Sequence, residues 1–196
     1  MKFTKEQIER AMTNKSHSYF SNGNYNLNII GVRCNIGTKV TNNFDDVLVL
    51  TYKSNNEWIY REYPITTDPG LRSMKELQNV NGCAILVPGQ YKGCFMTGLH
   101  KGQYQALVQR ANVNVFRDSN KDEYYDLNPK TIQTGLFGIN IHKSGKDSTI
   151  VDNWSAGCQV FAKEKDFKEF MTIINKSKAI YGNRFTYTLL DKNDFV

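Results

Sequence analysis

The spacing of apolar and polar positions changes several times along the chain, and each change marks an element. At the start, Thr4 followed three residues later by Gln7 forms a capping box, and Phe3 with Ile8 occupies the staple positions of a helix. This helix is expected to fade between Asn14 and Ser16. The polar run Asn22–Asn26 (NGNYN) then closes an N-terminal lead-in of residues 1–25. After it the pattern becomes that of strands. Leu27–Cys34 is apolar and rich in β-branched residues. Val47–Tyr52 and Trp58–Tyr63 flank KSNNE as two arms of a hairpin. Thr67-Asp68-Pro69-Gly70 reads as a tight turn. Cys83–Val87, Val113–Phe116, Leu136–Ile141, residues 158–162 and Phe185–Leu190 complete the strand candidates, with GLHKG at Gly98–Gly102 as a bend.

Between the last two strands the period lengthens. Phe167, Phe170, Met171 and Ile174 fall three and four apart within residues 163–176, the stripe of a helix packed on a sheet. No Pro- or Ser-rich linker divides the chain, so the pattern predicts one β-rich α+β domain over residues 26–196 behind the helical lead-in.

Composition narrows the classes. The chain has 196 residues, 40% of them hydrophobic, enough to bury a core without staples. No apolar run approaches the ~18 residues of a membrane-spanning helix, and MKFTKEQIER lacks the apolar centre of a secretory signal. Synthesis in the cytoplasm is therefore expected. The net charge of +6 is spread among acidic residues, which suits a general affinity for polyanions such as a bacterial wall and carries no nucleic-acid footprint. Cys34, Cys83, Cys94 and Cys158 match neither a zinc ribbon nor a CxxC pair, so buried reduced thiols are the default for each.

Cys158 has a special context. The segment Gly138–Phe161 (GINIHKSGKDSTIVDNWSAGCQVF) runs from a strand carrying His142, through a polar loop, to a Ser155-Ala156-Gly157-Cys158 turn and a second strand. A thiol needs an activating neighbour at neutral pH, and an imidazole that takes its proton yields a thiolate–imidazolium pair. The amides of Gly157 and Cys158 are candidate oxyanion donors, because glycine permits dihedrals that aim consecutive N–H groups inward. Ser155 would hold the turn and Trp154 would wall the cleft. His100, between two glycines, is a second candidate for the cleft or the base, with His142 preferred for its place at a strand end.

This segment resembles the signature of the L,D-transpeptidase catalytic-domain family: a histidine, a loop, then Ser/Thr-x-Gly-Cys. The resemblance maps the base onto His142, the hydroxyl position onto Ser155, the glycine onto Gly157 and the nucleophile onto Cys158. It implies a mixed β-sheet or sandwich with an N-terminal helix and a C-terminal helix packed on the sheet. It also implies cysteine-dependent acyl transfer on peptidoglycan stem peptides, by transpeptidation or by hydrolysis, with no cofactor. Many members carry a histidine where this chain has Ala156 and an arginine where it has Val160. A phage origin fits an unexported enzyme, one released by lysis or carried on a virion. The alternative from the same residues is a non-catalytic phage structural or wall-binding module that keeps the fold.

Three further positions complete the expectations. Arg117 could supply the substrate-carboxylate contact that Val160 cannot, and Tyr91 could wall the cleft. Asp118-Ser-Asn120-Lys-Asp122 has the start of a calcium loop, but Glu123 replaces the glycine at its sixth position and Pro129 the glutamate at its twelfth. A polar turn is the expectation there, and no metal site.

Overall fold

The computed structural model describes residues 2–35 and 37–195; the expected domain limits at residues 1 and 196 lie outside the described residues. The expected N-terminal helix and its capping box are present. Helix α1 is Lys5–Asn14, and the Thr4 side chain and the Gln7 side chain each take the other's backbone N–H.

Eight strands close into a barrel. In chain order they are β1 (Asn28–Arg33), β2 (Asp46–Ser54), β3 (Glu57–Thr66), β5 (Gly89–His100), β6 (Tyr104–Gln109), β9 (Ile141–Lys143), β10 (Gln159–Phe161) and β11 (Phe185–Asp191). Around the barrel the order is β1-β11-β5-β6-β9-β10-β3-β2, with parallel pairing at β1–β11 and β9–β10. A separate three-stranded sheet consists of β4 (Cys83–Leu86), β7 (Val113–Asp118) and β8 (Gln133–Gly135), in the order β4-β7-β8. The chain is thus α+β and β-rich as expected, but its main sheet is a closed barrel and not a sandwich. Closure leaves no exposed edge on the main sheet.

The apolar runs of β1, β2 and β11 follow from burial on both faces. Ile29, Leu48, Leu50 and Leu189 point into the barrel. Their neighbours Ile30, Val47, Val49 and Leu190 pack outside against Ile8, Ala11 and Met12 of α1. Asn55 and Asn56 both have positive φ, at 52° and 64°, and make the two-residue turn joining β2 to β3. The C-terminal helix, α3 (Glu164–Tyr181), runs five residues beyond the expected stripe before Gly182 ends it in the left-handed region. Its Phe167, Phe170, Met171 and Ile174 join the barrel's inner core.

Two expectations are corrected. Leu136–Asn140 does not pair as a strand; only Ile141–Lys143 does. Gly138 at φ 71° interrupts the extended run, and the Gln109 side chain takes over its backbone, its Oε1 accepting from the amides of Phe137 and Ile139 at 3.0 Å each. The Thr67–Gly70 turn is also more than a turn, because it leads into a short helix, α2 (Leu71–Lys75), and its first two residues are buried. Asp68 pairs with Arg33 at 2.8 Å, and Thr67 donates through both its amide and its hydroxyl to Asp46.

Candidate active site

The parallel pair β9–β10 builds the site. Its register sets Gln159 beside Ile141 and Val160 beside His142. Ile141 and Phe161 point into the barrel core, so His142 projects to the opposite face. Cys158, one residue ahead of β10, falls opposite Asn140 on the face that carries His142. Cys158 and His142 line one cleft, with His100, Lys101, Asn140 and Trp154 also in its wall.

Each group is held by identifiable contacts. The Cys158 Sγ donates to the Gly138 carbonyl at 3.4 Å and accepts from the Asn140 amide at 3.4 Å. The Nδ1 of His142 lies 2.8 Å from the Lys143 carbonyl oxygen. A carbonyl only accepts, so Nδ1 carries the proton and Nε2 is left as the base. The Tyr104 hydroxyl donates to the same carbonyl at 3.2 Å. The group orienting His142 is therefore the main chain of the next residue. Asp152 is engaged elsewhere, with Asn42 at 2.7 Å.

Ser155 organises the turn. Its Oγ donates to the Cys158 carbonyl at 2.8 Å and accepts from the Gly157 amide at 3.1 Å. That second bond corrects one expectation: the Gly157 N–H is committed to Ser155 and is not free for an oxyanion. The Cys158 amide has no acceptor among the described residues, and it remains the donor candidate. Gly157 is required for a different reason. A Cβ there would collide with the Ala84 carbonyl of β4, and its φ is 130°.

His100 does belong to the cleft. Its ring stacks on His142 with centroids 3.9 Å apart and planes at 21°. Its Nδ1 accepts from the Asn140 side-chain amide at 3.1 Å. Trp154 stands at the rim, 42% exposed, as expected of a wall. Arg117 is outside the thiol's cleft but lines the adjoining one, and the two share Gln78, Phe137 and Ala156. Its guanidinium covers the Phe137 ring and donates to Gln133 and to the Gly82 carbonyl. Tyr91 is placed wrongly by the sequence reading. It is buried in the core, its hydroxyl bonded to the Val87 carbonyl, and it walls no part of the cleft. Asn140 was missed, although it stands two residues before His142 on a strand-like run and so shares its face.

The electrostatics favour the neutral forms of both groups at rest. Burial lowers His142 to about 3, with His100 adding to the shift against the Lys143 hydrogen bond. Burial also raises the Cys158 thiol, opposed by the Asn140 amide and by Lys101. Both partners rest neutral at physiological pH. A folded value of about 3 against 6.5 means that the folded state binds fewer protons between those limits. Stability present above pH 6.5 is then lost as pH falls through that window, by on the order of 5 kcal/mol in the limit. Denaturant midpoints measured from pH 8 to pH 4 should fall on the acid side, with a shallower fall in His142→Gln. Equal slopes in the two proteins would refute a buried neutral imidazole.

No family model, curated protein or solved structure matches this chain. No helix among the described residues is long and apolar enough to cross a membrane.

Proposed function

We propose that this protein is a cysteine acyl-transfer enzyme acting on peptidoglycan stem peptides, with an L,D-transpeptidase-like catalytic domain. The observation that carries the reading is the meeting, in one cleft, of a thiol, a histidine whose Nε2 is free and an uncommitted Cys158 amide. In the first half-reaction the Cys158 proton passes to His142 Nε2 as sulfur attacks the carbonyl carbon. The Cys158 N–H stabilises the tetrahedral oxyanion, and the imidazolium returns its proton to the departing amine. The thioester then passes its acyl group to an amine or to water, deprotonated by the same His142, which returns that proton to the departing Cys158 sulfur.

Because both groups start neutral, the proton moves as the carbon–sulfur bond forms, and no stored thiolate is needed. Val160 is fully buried, so nothing two residues beyond the nucleophile reaches the substrate. Arg117, along the shared wall of Phe137 and Ala156, and Lys101, in the thiol's own cleft, are the candidate cations for a peptide carboxylate.

The test is digestion of purified peptidoglycan with wild type and Cys158→Ala, with products resolved by mass. A peptide bond cut or exchanged by the wild type alone supports the reading and tells hydrolysis from transpeptidation. Wall binding without any change of mass in either sample supports the non-catalytic module, which the raised thiol favours.

A further inference from the structure

The turn that joins β5 to β6 brings two donors to the thiol's cleft. Lys101 and Gly102 are its central residues, at φ 48° and 71°, and the Gln103 amide donates to the His100 carbonyl at 2.9 Å. Positive φ at the first of these positions favours asparagine or glycine. A lysine stands there instead, exposed, and it lines both the thiol's cleft and the adjoining one along Tyr104 and Lys143. Its ammonium has no acidic partner among the described residues. The neighbouring cations are engaged: Lys143 pairs with Glu164 at 3.0 Å, and Arg117 donates to Gln133 and to the Gly82 carbonyl. No acidic side chain among the described residues lines either cleft.

The second donor follows from a chain of hydrogen bonds. Asn140 Oδ1 accepts the Gln109 amide at 3.0 Å, so its side-chain nitrogen is the end that faces His100 Nδ1 at 3.1 Å. An amide nitrogen only donates, so Nδ1 accepts and the ring proton sits on Nε2. Burial, with the Lys101 charge behind it, holds the ring neutral in this form. His100 is 6% exposed, yet its Nε2 has no acceptor among the described residues and is not one of their sealed, unpartnered atoms. A donor neither bonded nor sealed opens into the space that His100 lines, the cleft of Cys158 and His142. The 3.9 Å stack of the two rings carries that donor beside the base.

We propose that His100 and Lys101 form a carboxylate subsite beside the thiol, in which the His100 Nε2–H and the Lys101 ammonium bind a carboxylate that the substrate carries near its reacting carbonyl. One cation and one neutral donor match a group with one negative charge and two acceptor oxygens. A carboxamide is the group this pair rejects. Its nitrogen would set N–H donors against the ammonium or the imidazole N–H, and its oxygen would satisfy only one of the two. The subsite therefore distinguishes a free carboxylate from an amidated one. It rests on the acyl-transfer reading only in calling the bound molecule a substrate.

The experiment uses the full chain, isotope-labelled at histidine, with N-acetylglycine and N-acetylglycinamide as probes. Long-range proton–nitrogen spectra, assigned with His100→Phe, should show His100 protonated at Nε2 and His142 at Nδ1. N-acetylglycine should shift the His100 Nε2 signal saturably, with a dissociation constant of about 10 mM or tighter, and the amide probe should not. Lys101→Asn should weaken that binding about tenfold, while Lys101→Arg keeps it. Asparagine suits the positive φ and the position is exposed, so the variant should fold. The proposal is overturned by an Nδ1 proton on His100, by no saturable shift, by equal shifts from the two probes, or by unchanged binding in Lys101→Asn. None of these readouts needs turnover. Selective binding without any bond cut in peptidoglycan leaves the subsite standing and removes the acyl-transfer reading, whereas cutting without selective binding removes the subsite alone.

Discussion

Substituting His142 by alanine is expected to slow acyl transfer by about 10³–10⁴-fold while leaving the fold in place. The size follows from the neutral resting pair. Burial holds the Cys158 thiol above its ordinary range, so no reservoir of thiolate exists to react without a base. The Nδ1 of His142 is tied to the Lys143 carbonyl, which leaves Nε2 as the one nitrogen able to take the proton. His100→Ala should behave differently. It removes the stacked ring and the partner of the Asn140 amide, loosening the site and costing about tenfold. It should also let His142 rise, because the neighbouring imidazole is one of the causes holding it down. Turnover on wall fragments and the rate at which a thiol probe labels Cys158 at pH 7 separate these roles. Undiminished labelling in His142→Ala, or a larger loss in His100→Ala, would reassign the base.

Much of this site was legible in the sequence because its parts lie close together in the chain. His142, Ser155, Gly157 and Cys158 fall within one segment whose two strands pair directly. His100 was harder. It lies 42 residues before His142 and reaches the cleft only because β5 ends there and turns through Lys101 and Gly102, both at positive φ. Strands β5 and β6 were not anticipated, and the reason is physical. In β5 the register against β11 slips between Phe185 and Tyr187, where Gly93 at φ 61° forms a bulge, so the alternation a strand normally shows is broken. Barrel closure was equally hidden. It depends on the short pairing of β6 with β9 at Leu107 and Ile141, a contact without local signature. The pairing of Arg33 with Asp68 could not be read from TDPG, because a tight turn and a buried ion pair place the same residue types in the same order.

The glycine of the Ser-x-Gly-Cys turn gives the largest expected stability effect. Gly157→Ala should lower stability by about 3–5 kcal/mol, measured as a fall in denaturant midpoint at unchanged slope. Two costs combine. At φ 130° an L side chain is strained wherever it stands, and here the added methyl would also meet the Ala84 carbonyl. That carbonyl belongs to β4, and the Ala84 amide donates to the Ala156 carbonyl at 3.4 Å, so the turn is seated against the second sheet. A control separates the two costs. Gly182, at φ 84°, has nothing within 4 Å of an added Cβ, so Gly182→Ala reports the dihedral cost with little steric one, about 1 kcal/mol. If both variants fall equally, close approach to β4 is not what demands glycine at residue 157. If Gly157→Ala falls further, the glycine is there to let the barrel's Ser155–Cys158 turn lie flush on the neighbouring sheet. Its amide stays with Ser155, and on the proposed mechanism, which leaves the oxyanion to the Cys158 N–H, losing the seat should cost activity together with stability.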